Sequence, residues 1–271
     1  MVKPSQDWLT LAWANSKTVP FPLAQSDWFG GLQIITPRIT DSTNGLLWTL
    51  LTQGYAPPLA AIAQQQRAGR GQWGRQWRSD PGGLYLSVLL DLDLAAENAP
   101  HLVLLSAWGI AYALEQHHIP VQLKWPNDLV LNGHKLGGIK TETRVHQGKI
   151  QTAVIGVGLN WSNPVPPTGI QLKPFCQHQG ITSLVTLTDL AEVALGGLTL
   201  GWQRYQRQGI ASIRAGYLDF FAHHHQIVEL LEGLGTIQSI TEQGELVVLV
   251  NGCRQIFPPG SISLGYGQLA P

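Results

Sequence analysis

Residues 121–160 read VQLKWPNDLVLNGHKLGGIKTETRVHQGKIQTAVIGVGLN, and the fold turns on how this stretch is divided. VQLKW, DLVL, HKLGGIKTETRV and KIQTAVIGVGLNW have strand character. Asn132-Gly133 and Gln147-Gly148 between them are pairs that accept the positive φ of tight hairpins. Strands joined so closely can only pair antiparallel, which predicts a mostly antiparallel sheet.

Working outward, LQIIT from Leu32 predicts a short strand broken by Pro37. Asp41 or Ser42 can cap a helix through NGLLWTLLTQG, ended by Gly54. Leu59–Ala63 is a short apolar run, and LYLSVLLDLDL at 84–94 alternates like a strand. Residues 102–118 have the spacing of a buried amphipathic helix closed by Pro120, 163–180 predict a Pro-rich loop, and 183–222 predict two or three helices covering one sheet face. Beyond His223–His225 the chain breaks into short β-rich pieces at Gly233, Gly235, Gly244, Asn251-Gly252 and Pro258-Pro259. The expected fold class is therefore α+β: a mixed, largely antiparallel sheet flanked by helices, with a small C-terminal SH3-like β-barrel. Its divisions are an N-terminal extension over 1–33 without legible periodicity, a main domain over 34–222 and a small domain over 226–271.

Composition excludes several classes. Lys+Arg and Asp+Glu both number 17, so no net field draws the 271-residue chain to DNA, and none is expected as a partner. No apolar run approaches the roughly 20 residues of a membrane span, and the N-terminus lacks a secretory apolar core. Cys176 and Cys253 lie in unrelated contexts, which reads as a reduced, cytoplasmic chain. The 10 tryptophans read mainly as packing. His117-His118 and His223–His225 are poor zinc sites, because adjacent histidines cannot converge on one ion and no cysteine stands at ligand spacing.

Gly69-Arg70-Gly71-Gln72-Trp73-Gly74 satisfies GxGxxG, but a dinucleotide site needs a helix to open there, and a Pro-Gly-Gly and a strand follow instead. No Walker loop is present. What the segment offers is Arg67, Arg70 and Arg75 among glycines that let backbone N–H groups approach an anion, with Trp73 and Trp77 as flat surfaces for a purine. Read alone, it is equally a solvated basic loop. Lys124-Trp125-Pro126-Asn127-Asp128 sets a cation, an amide and a carboxylate at a strand-to-turn junction, and Lys135 follows after the hairpin. Gly156 and Gly158 in VIGVGLN strip side chains from one strand face, leaving either a slot or a close helix contact.

DSTN at 41–44, QRAGRGQWGRQW at 66–77, KWPNDLVLNGHKLGGIK at 124–140 and IGVGLN at 155–160, in this order, resemble the biotin–protein ligase family. GELVVLVNGCRQIFPPGSISL resembles that family's small C-terminal domain. The resemblance implies a core related to class II aminoacyl-tRNA synthetases, and makes 34–222 the catalytic biotin- and ATP-binding domain. It implies formation of biotinyl-5′-AMP from biotin and ATP, then transfer to a lysine of a biotin carboxyl carrier protein, the acceptor of an acetyl-CoA carboxylase. A lipoate or octanoate ligase on the same fold is the alternative; KWPND and the C-terminal pieces argue against it. The winged-helix domain of the ligases that double as repressors is not expected in this chain, and monomer and homodimer are both open.

The same resemblance assigns residues. Ser42, Thr43, Asn44, Gln66, Gly69, Arg70, Lys135, Gly138, Gly156 and Gly158 are expected to hold biotin, the glycine slot passing its apolar ring. Arg70, Gln72, Trp77, Asn127, Asp128, Lys135 and Asn160 are expected around ATP and the adenylate. Arg70 and Lys135 are the expected catalytic pair. Mg²⁺ is expected on the ATP phosphates rather than on the protein, with Asp128 as a candidate contact. Gln72 departs from the family pattern, in which Arg is usual there, and leaves one cation fewer.

Overall fold

A computed structural model describes residues 31–231 and 233–266. The expected extension at 1–33 thus lies almost wholly outside the described residues. Strands β1 (Gln33–Ile35) and β2 (Ile39–Thr40) precede helix α1 (Thr43–Thr52), then β3 (Leu59–Ala63), β4 (Gln65–Gln66), β5 (Leu84–Ala95) and helix α2 (Ala99–Glu115). β6 (Gln122–Lys124), β7 (Asp128–Leu131), β8 (His134–His146) and β9 (Lys149–Leu159) follow, then helices α3 (Leu172–Gln179) and α4 (Leu187–Asp219). The last strands are β10 (Ile227–Leu230), β11 (Gly233–Ile240), β12 (Leu246–Val250) and β13 (Cys253–Phe257).

The main sheet has seven strands in the order β1-β3-β5-β9-β8-β7-β6. Only β1 and β3 run parallel in it. Asn132 and Gly133 (φ 50° and 74°) and Gln147 and Gly148 (φ 49° and 75°) make the two hairpin turns in the left-handed region the sequence predicts. Strand pleating then sorts side chains by parity. On β5, Leu84, Leu86, Val88 and Leu90 join the large core with α2 and α4, while Leu89 joins Leu47 of α1 and Val154 of β9 on the opposite face. With both faces covered, residues 84–90 are all buried, so this strand does not alternate as expected; alternation returns only from Asp91.

Helices α2 and α4 meet backbone to backbone. A Cβ at Gly109 would strike the Gly197 carbonyl, one at Gly197 would lie 2.7 Å from Ile110 Cα, and one at Gly201 would strike the Leu105 carbonyl. α2 ends at Glu115, ahead of Pro120, and His118 (φ 60°) turns the chain out. The expected helices over 183–222 are α4, broken at Gly209 (φ 72°, ψ −177°).

The expected loop at 163–180 is corrected by α3. Pro174 is tolerated in its first turn, Gly180 (φ 68°) closes it left-handed, and Leu172 and Cys176, four residues apart, bury one side.

β10 to β13 form a four-stranded antiparallel sheet where the sequence predicts a small barrel. Ile237, Ile240, Leu246, Val248 and Val250 belong to the same core as β5, β9 and α2. Trp125 Nε1 donates to the Gly244 carbonyl at 2.7 Å and ties the two sheets together. No helix among the described residues is long and apolar enough to cross a membrane.

Candidate functional site

Helix α1 covers only the β3, β5 and β9 part of its sheet face, and the rest of that face is the floor of a cavity of about 150 Å³. Register lays the floor out in rows. Tyr85, Gly158, Gly138 and Asp128 sit side by side across β5, β9, β8 and β7, with Ser87, Gly156 and Lys140 in the next row. Side chains that point up from one row are thus brought within reach of one ligand although they are far apart in sequence.

The α1 end of the cavity is a hydrogen-bonded amide and hydroxyl cluster. Gln66 Oε1 accepts from Thr43 N (2.8 Å) and Thr43 Oγ1 (3.1 Å), and its Nε2 donates to Ser79 Oγ (2.8 Å). Ser87, fully buried, donates to Asn44 Oδ1 at 2.6 Å and lies 2.7 Å from Thr43 Oγ1. Ser42 is the N-cap of α1, its hydroxyl accepting from Gly45 N at 3.5 Å. Two donors in the cavity wall stay without a partner: Asn44 Nδ2 and Trp77 Nε1. A buried polar group left unpaired costs about 1–3 kcal/mol, which an acceptor on a ligand would recover.

The slots at Gly156 and Gly158 are not open. Asn44 Oδ1 occupies the place a Cβ on Gly156 would take, and the Trp77 indole lies 2.6 Å from where one on Gly158 would stand. Both glycines are needed, but for packing against Asn44 and Trp77 rather than for a bare channel. Gly138 is different: nothing lies closer than 3.2 Å to its Cβ position, and Asp128 Oδ1 is the nearest atom.

The arginine-rich loop folds back on itself as a small hairpin. Arg70 bridges Gln76, Gly71 N donates to the Arg75 carbonyl (2.6 Å) and Trp77 N to the Gly69 carbonyl (2.9 Å). Lys140 Nζ donates to the Gly71 carbonyl at 3.0 Å, and Gln72 Nε2 reaches the Ile139 carbonyl at 3.4 Å. The residue that departs from the family pattern therefore pins the loop to β8. Arg70 and Arg75 line the cavity, and Trp73 (φ 51°), beneath Arg75, packs on Gly260.

At the opposite end a carboxylate is shared. Lys135 Nζ lies 2.7 Å from Asp128 Oδ1, Lys124 Nζ 3.8 Å from Asp128 Oδ2, and the Tyr266 hydroxyl donates to that second oxygen. Burial pushes the Lys124 ammonium below the usual lysine range against the opposing pull of Asp128, and Lys135 and Arg75 push it the same way as burial. Burial and the Asp128 charge push the Tyr266 phenol up. Lys135 also lies 5.3 Å from the Trp77 ring, close enough for cation–π attraction. Arg70, Arg75, Lys124, Lys135 and Lys140 thus line a cavity whose only acidic lining residue among those described is Asp128, Lys140 being paired outside it with Glu142 at 3.6 Å, and the excess of positive charge suits an anion.

Ser42, Thr43, Asn44, Gln66, Arg70, Gln72, Trp77, Asn127, Asp128, Lys135, Gly138, Gly156 and Gly158 all line this one cavity. Gly69 and Asn160 do not. Gly69 lies a layer behind, where a Cβ would strike the Trp77 carbonyl and Ser79 Oγ. Asn160 donates to the Lys135 carbonyl at 3.2 Å and accepts from Asn163 at 3.1 Å, so it braces Lys135 from outside. Asn127 lines the wall, yet its amide donates to the Ile139 carbonyl at 2.7 Å. Sequence reasoning named Lys124 as the cation of its segment without giving it a ligand, and missed Lys140 as a wall residue, Ser87 beneath Thr43, and the segment Gly260–Leu264 that closes one side. Lys140 was within reach of the alternation on β8; the C-terminal segment carried no periodic signal.

Residues 36–160 match the profile of the biotin/lipoate A/B protein ligase family. The bifunctional ligase/repressor BirA of Bacillus subtilis is 32% identical over 132 residues, 48% of this chain and 41% of that protein. The chain thus aligns with only about two fifths of that relative's length. The biotin–[acetyl-CoA-carboxylase] ligase of Paracoccus denitrificans is 28% identical over 83% of this chain and 98% of its own. Among solved structures, a biotin protein ligase from Aquifex aeolicus in complex with biotin and ATP superposes with a TM-score of 0.67 at 23% identity, covering 87% of this chain and 99% of that one. At that identity the likeness shows the fold, which is the class read from the sequence.

Proposed function

We propose, since residues 36–160 match the profile of the biotin/lipoate A/B protein ligase family, that the chain is a biotin–protein ligase that makes biotinyl-5′-AMP and passes the biotinyl group to a carrier protein. The observation that carries this reading is one cavity lined by two unpaired buried donors and by five cations, two of which share the carboxylate of Asp128. An acyl adenylate needs both features: buried donors for the acceptors on its acyl head and its nucleotide, and fixed positive charge where a phosphate and a carboxylate meet.

In the first step, a carboxylate oxygen of biotin attacks the α-phosphorus of ATP. The bond from that phosphorus to the bridging oxygen breaks, and pyrophosphate leaves with the electron pair. Arg70 and Lys135 are assigned to the carboxylate and phosphate oxygens, where preorganised charge lowers the barrier most. In the second step, the acceptor lysine amine attacks the acyl carbon, AMP leaves, and the amine loses a proton to solvent. Thr43, Asn44 and Gln66 are assigned to the biotin head, whose ring would pack on the Asn44 and Trp77 layer. Gln72, Trp77 and Asn127 are assigned to the nucleotide side.

The cation set does not suit a metal held by the protein. Asp128, the one carboxylate in the wall, already meets two ammonium groups and a phenol, and no group of three or more metal-ligating side chains occurs among the described residues. Mg²⁺ is accordingly read as arriving on the triphosphate. The acceptor is read as a biotin carboxyl carrier protein and the compartment as the cytoplasm.

Incubation with biotin, ATP and Mg²⁺, with lipoate in a parallel reaction, tests the reading by mass spectrometry. Biotinyl-AMP is expected and lipoyl-AMP is not. A lipoyl or octanoyl adenylate in its place would move the chain to the other branch of the family, and no adenylate with any acid would overturn the reading.

A further inference from the structure

We propose that Tyr266 is a positioning residue of this cavity: its hydroxyl occupies one oxygen of Asp128 and so keeps the Lys124 ammonium available to an incoming anion. The chemistry it serves rests on the ligase reading; the geometry does not. Asp128 has two oxygens and three neighbours. Lys135 takes Oδ1 at 2.7 Å, the phenol takes Oδ2, and Lys124 is left in a long ion pair, 3.8 Å from Oδ2 and beyond ordinary hydrogen-bond length. Lys124 is nonetheless buried, at 7% exposure, and faces no other carboxylate within ion-pair distance among the described residues. Its charge rests instead on the face of the Tyr266 ring, 4.5 Å from the centroid.

The ring and the hydroxyl thus do two things to one lysine. The ring holds the cation in place over the cavity, and the hydroxyl, by occupying Oδ2, keeps the ion pair with the carboxylate long. The segment that presents Tyr266 is itself part of the wall: Gly260, Ile262, Ser263 and Leu264 line the cavity, and His223 meets the Gly265 backbone. Without the hydroxyl, the long ion pair of Lys124 with Oδ2 can close to hydrogen-bonding distance. In the low-dielectric wall that pair would be strong, and the cation would be lost to a ligand.

The test uses the whole chain and two substitutions, Tyr266→Phe and Lys124→Met, singly and together, each checked by thermal melting for a wild-type fold. Calorimetry with inorganic pyrophosphate and with ATP is expected to show Y266F binding about tenfold more weakly, the scale of one charged hydrogen bond to the ligand. Biotin binding without nucleotide should stay within about twofold, since Thr43, Asn44 and Gln66 lie at the other end. In the K124M background the Tyr266→Phe change should cost almost nothing, a coupling that a merely structural tyrosine would not produce. Unchanged anion binding in Y266F overturns the proposal, as does a loss that persists in full once Lys124 is gone. If the wild type binds ATP but makes no adenylate, the ligase reading fails while the pyrophosphate titrations still decide the role of Tyr266.

Discussion

Lys135 reaches the cavity from the start of β8 with its backbone held twice, by Thr168 and Ile170, and its carbonyl held again by Asn160. So fixed, under the proposed chemistry its ammonium would need little reorganisation to meet a developing phosphate charge. Lys135→Ala should lower the rate of biotinyl-AMP formation by about 10²–10³ in single-turnover assays while the melting temperature changes little. An adenylation rate within a factor of two of wild type would remove Lys135 from the reaction. At this scale the sequence was readable wherever a cavity-lining side chain sat in a dense local motif, as Thr43, Gln66, Asp128 and Lys135 do. It was not readable for Ser87, an ordinary strand position until register sets it beneath Thr43 and Asn44, nor for Gly69 and Asn160, which support the wall from behind.

Among the elements, the contact of α2 with α4 separates local propensity from packing. Ala is favoured over Gly inside a helix by about 1 kcal/mol, so propensity alone predicts that Gly197→Ala stabilises the protein. A Cβ there would lie 2.7 Å from both the Gly109 carbonyl oxygen and Ile110 Cα, which are backbone atoms that cannot step aside. The expected outcome is a loss of about 1–3 kcal/mol in urea unfolding with an unchanged slope. Any gain would show that the helices can separate at no cost. The hairpins at Asn132-Gly133 and Gln147-Gly148 were legible because a turn's chemistry is local. The helix at Leu172–Gln179 was missed because a proline in its first turn is tolerated yet reads as a breaker when only composition is weighed.

Across the whole molecule, three imidazoles are tuned the same way. Burial lowers the pKa of His101 and His117 against the pull of Glu242 and Asp189 respectively, and burial together with Lys124 lowers that of His223. Each is held neutral when folded but protonates near the ordinary value of 6.5 when unfolded. The unfolded state therefore binds more protons below that value, and the stability these groups contribute is present above about pH 6.5 and lost as the pH falls through their depressed values. Melting temperature should be level from pH 8 to 7 and decline from 6.5 toward 5. A curve that stays flat to pH 5 would mean that these rings are solvated. The fold class was legible at this scale because strand order follows from short connections. How the two sheets share one core was not, since Trp125 and Gly244 meet across 119 residues.

The segment Gly260–Leu264, which forms one side of the cavity, also fixes when in the life of the chain that cavity can first exist. Synthesis runs from the N-terminus, and domains fold as their residues emerge. Every other wall residue has left the ribosome while this side is still missing. A nascent chain can therefore hold most of its sheet and no complete site, and a product whose translation stops before residue 260 would be folded in large part yet unable to enclose a ligand. Under the proposed chemistry that order has a protective sense: a reactive acyl phosphate is not made until every side of its cavity has been assembled.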